Sequence, residues 1–269
     1  MFDLHVHTAP CVFPRLADDA ATVALYERAG FSGCVLKGHC EPTAGRAAAC
    51  DARFRPAVYG GIVLNAAAGG LNPDAVSAAL ALGARVVWLP TLDAREHRTR
   101  RLPLPPGHTA EAFAAPPVDR SSEAALRRIF ALVADADAVL STGHLSTAEC
   151  GWVVRSAREA GVRRILLQHP TFDVPAMSAA EVQELCELGA VAEITAYQLL
   201  HGADPTALVA LARSLGPERC VLSSDAGQPD SPEPPAALEL LVERLVAAGL
   251  DPGAAGAMAS ETPERLIVV

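Results

Sequence analysis

Met1-Phe2-Asp3-Leu4-His5-Val6-His7-Thr8 opens the chain and reads as a short apolar strand that ends in two histidines one residue apart. In a β-strand, residues i and i+2 point to the same side, so both imidazoles face one point in space. Two nitrogen donors on a rigid strand suit a divalent metal, which neutral imidazole ligates. The same unit, an apolar run followed by a helical pattern, recurs along the whole sequence. Strands are expected at 2–7, 32–37, 58–64, 85–90, 138–142, 164–168, 190–195 and 219–224. Helices are expected near 18–29, 43–54, 73–82, 121–134, 147–160, 178–188, 204–214 and 235–248. Asn72-Pro73-Asp74, Ser146-Thr147 and Ser178-Ala179-Ala180-Glu181 mark helix starts, and Gly30, Gly83, Gly161, Gly189 and Gly249 mark helix ends.

Strands that alternate with helices predict a parallel sheet. Eight such units in 269 residues predict the α/β class and a (β/α)8 TIM-type barrel, with room for distortion, as a single domain over 1–269. An open doubly wound sheet is the structural alternative. One segment interrupts the rhythm. Residues 92–120 carry Arg95, Arg98, Arg100 and Arg101 and then turn Pro-rich up to Arg120. A connection this long is either a functional lid or disordered. Its arginines belong to a solvated loop or to a lid that clamps an anionic group.

The composition narrows the function. The chain is 51% hydrophobic, enough for a sizeable core, and carries a formal charge of −9. An acidic protein with a pI near 5.4 lacks the basic footprint of a nucleic-acid binder. No stretch approaches the roughly 18 unbroken apolar residues of a membrane span. The N-terminal residues run straight into the first strand without a basic segment, so no secretory signal is expected. Seven cysteines with no Cys-x-x-Cys pair read as free thiols in a reducing cytoplasm. Cys11 and Cys40 follow the histidine-bearing strand ends, and packing is the expected role for both.

All eight histidines fall at or beyond the C-terminal ends of expected strands, and none lies in an expected helix. His5 and His7 close strand one, His39 follows strand two, His144 follows strand five and His169 follows strand six. His97 and His108 lie in the connection after strand four, and His201 comes after strand seven. Barrel enzymes build their active sites at that face. Scattered structural histidines would have no reason to choose one side.

Strand eight runs Val221-Leu222-Ser223-Ser224-Asp225, which points a carboxylate into the same basin. Asp225 can ligate a metal and take a proton from the water it activates; its plainer role is a turn former. Lys37 ends strand two and shares a face with His39. It is either an ion-pair partner of Asp3, Glu193 or Asp225, or a neutral nucleophile or substrate-holding cation. Glu193 is either core-directed or the partner of a histidine. Arg15, Asn65, Tyr197 and His201 lie in loops on the same face and are candidates to read a substrate.

Together these residues resemble the amidohydrolase superfamily of metal-dependent hydrolases. The superfamily pattern is His-x-His on strand one, His after strands five and six, and Asp after strand eight. Here those positions are His5, His7, His144, His169 and Asp225. Asp3-Leu4-His5-Val6-His7-Thr8 also resembles the polymerase-and-histidinol-phosphatase (PHP) phosphoesterases, a related distorted-barrel family. There are two departures. The superfamily bridges two metals with a carboxylated lysine or a glutamate from strand four, but strand four here ends Trp88-Leu89-Pro90-Thr91. The strand-end lysine is Lys37, on strand two. PHP enzymes carry Asp-His after strand two and a glutamate after strand three, where this chain has Gly38-His39 and Leu64-Asn65.

The resemblance implies a hydrolase that activates water on one or two divalent ions, Zn with Mn or Fe as substitutes, to cleave an amide, lactam, lactone or ester. His5, His7, Lys37, His144, His169 and Asp225 would hold the metal, and Asp225, Lys37 and His39 would be catalytic. The alternatives are a PHP-like phosphoesterase, a mononuclear decarboxylase or hydratase, and a metal-stabilised binding protein. A small-molecule substrate is expected, with no nucleic acid or membrane partner. The Ala-rich outer helices suit a homo-oligomer.

Overall fold

A computed structural model describes residues 1–268. Eight parallel strands follow one another in a single sheet in sequence order: β1 Phe2–His7, β2 Gly33–Lys37, β3 Ala57–Val63, β4 Val86–Trp88, β5 Val139–Ser141, β6 Arg164–Leu167, β7 Ala190–Thr195 and β8 Cys220–Ser223. The sheet closes where β8 meets β1. His7 N donates to the Ala226 carbonyl and Asp225 N donates to the His5 carbonyl, both at 2.8 Å. This is the expected (β/α)8 barrel.

The connecting helices are α1 Asp19–Arg28, α2 Ala44–Asp51, α3 Pro73–Ala81, α4 Arg95–Thr99, α5 Glu123–Asp135, α6 Thr147–Glu159, α7 Ala179–Glu187, α8 Ala196–Leu200, α9 Pro205–Leu215, α10 Pro234–Ala247, α11 Pro252–Met258 and α12 Glu261–Ile267. Polar residues at the starts fix several of them. Asp18, Asn72, Asp204 and Asp251 each accept a hydrogen bond from a first-turn N–H, and Ser178 with Glu181 forms a reciprocal capping box. The eight expected helices are all present, while α4, α8, α11 and α12 are additional.

The barrel interior changes character along its axis. At the N-terminal end Phe2, Leu4, Val35, Val86, Val139 and Val221 form an apolar plug, closed by Leu266 and Ile267 of α12. Two residues beyond Val35, Leu166 and Val191, alternation brings Lys37, Gln168 and Glu193 toward the C-terminal mouth, and Asp225 follows four residues beyond Val221. In β1 the alternation is broken: pairing with β2 shifts register between Asp3 and Val6. Phe2 and Leu4 pack in the inner plug, yet Val6 packs in the outer core against the helices. A regular strand starting from Phe2 would send His5 and His7 outward. The bulge turns both into the barrel, a re-aiming that such irregularities often perform beside functional sites.

The 92–120 connection is built from local pairings. Arg95 N donates to the Phe113 carbonyl at 2.7 Å and Phe113 N to the Asp93 carbonyl at 2.6 Å. The Phe113 ring lies over Gly70, where a Cβ would come within 2.4 Å of it. His97 lies in α4, contrary to the expectation that no histidine is helical.

Candidate metal centre

His5, His7 and Asp225 converge at the mouth of the barrel, all three buried. His5 Nε2 lies 3.3 Å from His7 Nε2, His5 Nε2 lies 3.0 Å from Asp225 Oδ1, and His7 Nε2 lies 3.2 Å from the same oxygen. Donors around one tetrahedral ion with bonds of roughly 2.0–2.1 Å stand about 3.3 Å apart. The three edges match that spacing, and the mixed imidazole and carboxylate set is one that zinc accepts. Asp225 holds a left-handed φ of 50°, as short polar residues tolerate, and His169 at the end of β6 has φ 24°. Non-glycine residues held there are uncommon and cluster at functional sites.

Behind the three donors stand residues that orient them. Glu193 Oε1 lies 3.2 Å from His5 Nδ1, and Glu193 Oε2 accepts from His169 N at 3.3 Å. Glu193 is therefore the partner of a histidine. Lys37 Nζ lies 3.0 Å from His5 Nε2, donates to Gln168 Oε1 at 3.1 Å and sits 5.5 Å above the Trp88 ring. Asp3 is not its partner: that buried carboxylate accepts from Tyr26 Oη, His5 N and Ser224 N.

Burial alone would hold the His5 imidazole neutral, but the Asp225 and Glu193 carboxylates outweigh it and lift its pKa to about 9. Burial pulls Lys37 down to about 8 against the attraction of the same two carboxylates. Burial opposes charge on Asp225 too, yet His5 and His7 hold its carboxyl well below the usual carboxylate range. Burial and neighbouring cations push His7, His39, His144 and His169 down, so they stay neutral.

A cavity of about 760 Å³ opens over this centre, lined by His7, His39, His97, His144, His169 and His201. His144 and His169 face each other with ring centroids 5.1 Å apart, and His169 stacks on His5 at 6.3 Å. Neither joins the three-donor cluster. Gln168 Nε2 donates to His169 Nε2 at 2.9 Å, and His144 Nδ1 lies 2.8 Å from His97 Nδ1. His39 stacks on His7 at 4.8 Å. Sequence reasoning passed over Gln168, although it lies next to His169 at the end of β6. His108 lies outside the cavity, bound to Asp93 at 2.6 Å.

Arg15, Tyr197 and His201 line the cavity. Arg15 Nε is buried without a hydrogen-bond partner among the described residues, and the guanidinium lies 5.8 Å from the Phe13 ring centre. Tyr197 and His201 stack at 3.9 Å, with His201 Nδ1 donating to the Tyr197 carbonyl. Asn65 corrects the expectation. Its amide donates to the His39 carbonyl and Thr91 Oγ1 and accepts from Thr91 N and Asp93 N, leaving nothing for a substrate. The loop arginines face elsewhere as well. Arg95 pairs with Asp119, Arg98 with Asp93, and Arg100 with Glu96 and two backbone carbonyls. None of them, nor Arg101, lines the cavity.

The same fold occurs in solved structures. An amidohydrolase from Burkholderia multivorans is 16% identical, with a TM-score of 0.63 over 100% of this chain and 99% of that one. A 2,6-dihydroxybenzoate decarboxylase from Rhizobium is 12% identical, with a TM-score of 0.60 over 99% and 98%. A provisionally assigned 2-pyrone-4,6-dicarboxylic acid hydrolase from Pseudomonas putida is 17% identical, with a TM-score of 0.62 over 99% and 96%. At these identities the likeness is one of fold. What they share with this chain is the (β/α)8 barrel. The chain belongs to DUF6282, a family of unknown function whose sequence profile matches residues 1–193. A comparison with curated proteins gives no match.

Proposed function

We propose that this protein is a metal-dependent hydrolase acting on the carbonyl centre of a small molecule that carries an anionic group. The observation that carries this reading is the set of 3.0–3.3 Å edges joining His5, His7 and Asp225. These three residues would hold a divalent ion, Zn with Mn or Fe as substitutes. Such an ion supplies Lewis acidity, which polarises a carbonyl and acidifies water. A purely structural zinc site closes with four protein ligands, whereas three donors beneath an open cavity leave room for substrate.

The chain's own residues do the rest. Asp225, held ionised, accepts the proton of the attacking water and returns it to the leaving group. Glu193 fixes the His5 ring through Nδ1, so that Nε2 faces the centre. His39, stacked on His7 at the cavity wall, and Lys37 stabilise the developing oxyanion. A second ion would have to draw on Lys37, whose Nζ lies 3.0 Å from His5 Nε2, and on His144 and His169 on the β5–β6 side. Arg15, an unpaired cation in the cavity, receives a substrate carboxylate, with Tyr197 and His201 as the adjoining wall. The described cysteines are all free, in keeping with a reducing cytoplasm.

Protein loaded with zinc or manganese, assayed on lactones, esters, amides, aromatic acids and phosphoesters, tests the reading. Metal-dependent carbonyl hydrolysis, lost in Asp225→Asn and favouring substrates with a carboxylate, is the expected result. Turnover of phosphoesters alone would assign the site to the PHP-like alternative. Loss of carbon dioxide from aromatic acids would make it a decarboxylase.

A further inference from the structure

We propose that Asp3 is a positioning residue for the metal centre, and that one of its carboxylate oxygens sets where His5 and Asp225 stand relative to each other. The inference rests on the reading of those two residues as ligands. Asp3 does not line the cavity. Its side chain lies on the outer side of β1, where Tyr26 of α1 packs, and the hydrolytic chemistry leaves it without a task.

The bulge in β1 is where this begins. Pairing runs from Asp3 to Val6 on β1 while β2 advances only from Cys34 to Leu36, so β1 carries one extra residue. The extra residue of a bulge falls out of the ladder. Here the His5 N–H turns back to Asp3 Oδ1 at 3.1 Å. The same oxygen accepts from Ser224 N at 3.0 Å, on the residue just before Asp225. The bulge of β1 and the end of β8 are thus fastened to one atom. On the cavity side of that fastening, His5 Nε2 and Asp225 Oδ1 meet at 3.0 Å.

Further bonds close the seam around Asp225. Ser224 Oγ donates to the His5 carbonyl at 3.0 Å and accepts from Ala226 N at 3.1 Å. Asp3 is held in its turn. Tyr26 Oη donates to Oδ2 at 2.5 Å, and the Tyr26 ring packs edge-on against Phe31 with centroids 5.1 Å apart. Asp3, Tyr26 and Ser224 are all buried. A carboxylate this deep is costly unless hydrogen bonds satisfy it, and three donors do so here. An apolar side chain would fill the same space, but it would not give two strands a shared acceptor.

Metal-free crystal structures of three full-chain variants test the geometry without an ion, and zinc titration against a competing chelator tests its consequence. Asp3→Ala leaves both amides without their acceptor. The His5 Nε2 to Asp225 Oδ1 separation should open by about 1 Å or more, and zinc affinity should fall about tenfold or more, as when an outer partner is lost. Asp3→Asn keeps an oxygen for the two amides and offers Nδ2 to the Tyr26 oxygen. It should hold the wild-type separation and keep zinc affinity within about threefold. Tyr26→Phe removes a buried bond from the same carboxylate but spares the shared acceptor. It should lower the melting temperature and leave separation and affinity as in the wild type. A wild-type separation in Asp3→Ala, or Asp3→Asn no better than Asp3→Ala, would overturn the proposal. So would a loss of affinity in Tyr26→Phe equal to that in Asp3→Ala, which would reduce Asp3 to a stability role. Should Asp3→Ala fail to fold, Asp3→Glu, which displaces the oxygen by one methylene, takes its place with the same expected losses. If the wild-type protein takes up no zinc, the ligand reading fails, and the metal-free separations still decide the role of Asp3.

Discussion

The two sides of the basin use the same residue type for different ends. On the β1–β8 side, His5 and His7 lie within 3.3 Å of each other and of an ionised carboxylate. On the β5–β6 side, His144 and His169 are neutral, stand 5.1 Å apart by ring centre, and have a ring nitrogen engaged by His97 or Gln168. The first side is arranged to gather positive charge, and the second to present hydrogen-bonding groups. Histidine count alone does not identify a metal centre. What the other ring nitrogen touches, and whether a carboxylate is present, separates the two roles.

Ligand substitutions give the sharpest break. His5→Gln, His7→Gln or Asp225→Ala should each lower zinc affinity by more than about 100-fold, beyond what loss of an outer partner costs. His144→Gln and His169→Gln should leave the first equivalent in place, as titration against a competing chelator would report. Equal losses on both sides would erase the distinction. Glu193→Gln comes next. It keeps the shape but removes the charge facing His5 Nδ1, and affinity should fall roughly 10–100-fold.

Acidity separates the sides further. Below about pH 9 an incoming ion must displace a proton from His5, so zinc affinity should fall about tenfold for each unit of pH lowered toward 7. Calorimetry in buffers of different ionisation enthalpy would count that proton, and His5→Gln should abolish its release. In the metal-free fold the sense reverses. A pKa raised from 6.5 to about 9 adds stability that is complete below 6.5 and is lost as pH rises through 9. The melting temperature of metal-free protein should therefore drop across that window more steeply than that of His5→Gln. The smallest expected effect is at Arg15. Arg15→Met should leave zinc affinity within about twofold, since no proposed ligand rests on it, yet weaken benzoate or glutarate binding about tenfold or more. Unchanged carboxylate binding would remove Arg15 from the substrate wall.

The sequence was informative where period and chemistry agree. Apolar runs closed by Gly-punctuated helices place all eight strands, and strand-end histidines mark the working face. It was silent where one local irregularity decides. Spacing puts His5 and His7 on the same side of β1, but only the shift between Asp3 and Val6 turns that side inward. The loop position of Asn65 fits a substrate contact, but the hydrogen-bond partners that occupy it lie 26 and 28 residues away in sequence. The helix α12 lacks a strong start signal, so Leu266 and Ile267 could not be read as the barrel's plug. Four arginines in one loop suggested an anion clamp, yet three have acidic partners within the connection, at Asp93, Glu96 and Asp119.

The most direct measurement is anomalous X-ray diffraction at the zinc edge from crystals grown with about one equivalent of zinc. A single strong peak within bonding distance of His5 Nε2, His7 Nε2 and Asp225 Oδ1 is the predicted result. A peak between His144 and His169 with none at the β1–β8 side would contradict the assignment, as would a density map with no anomalous peak at all.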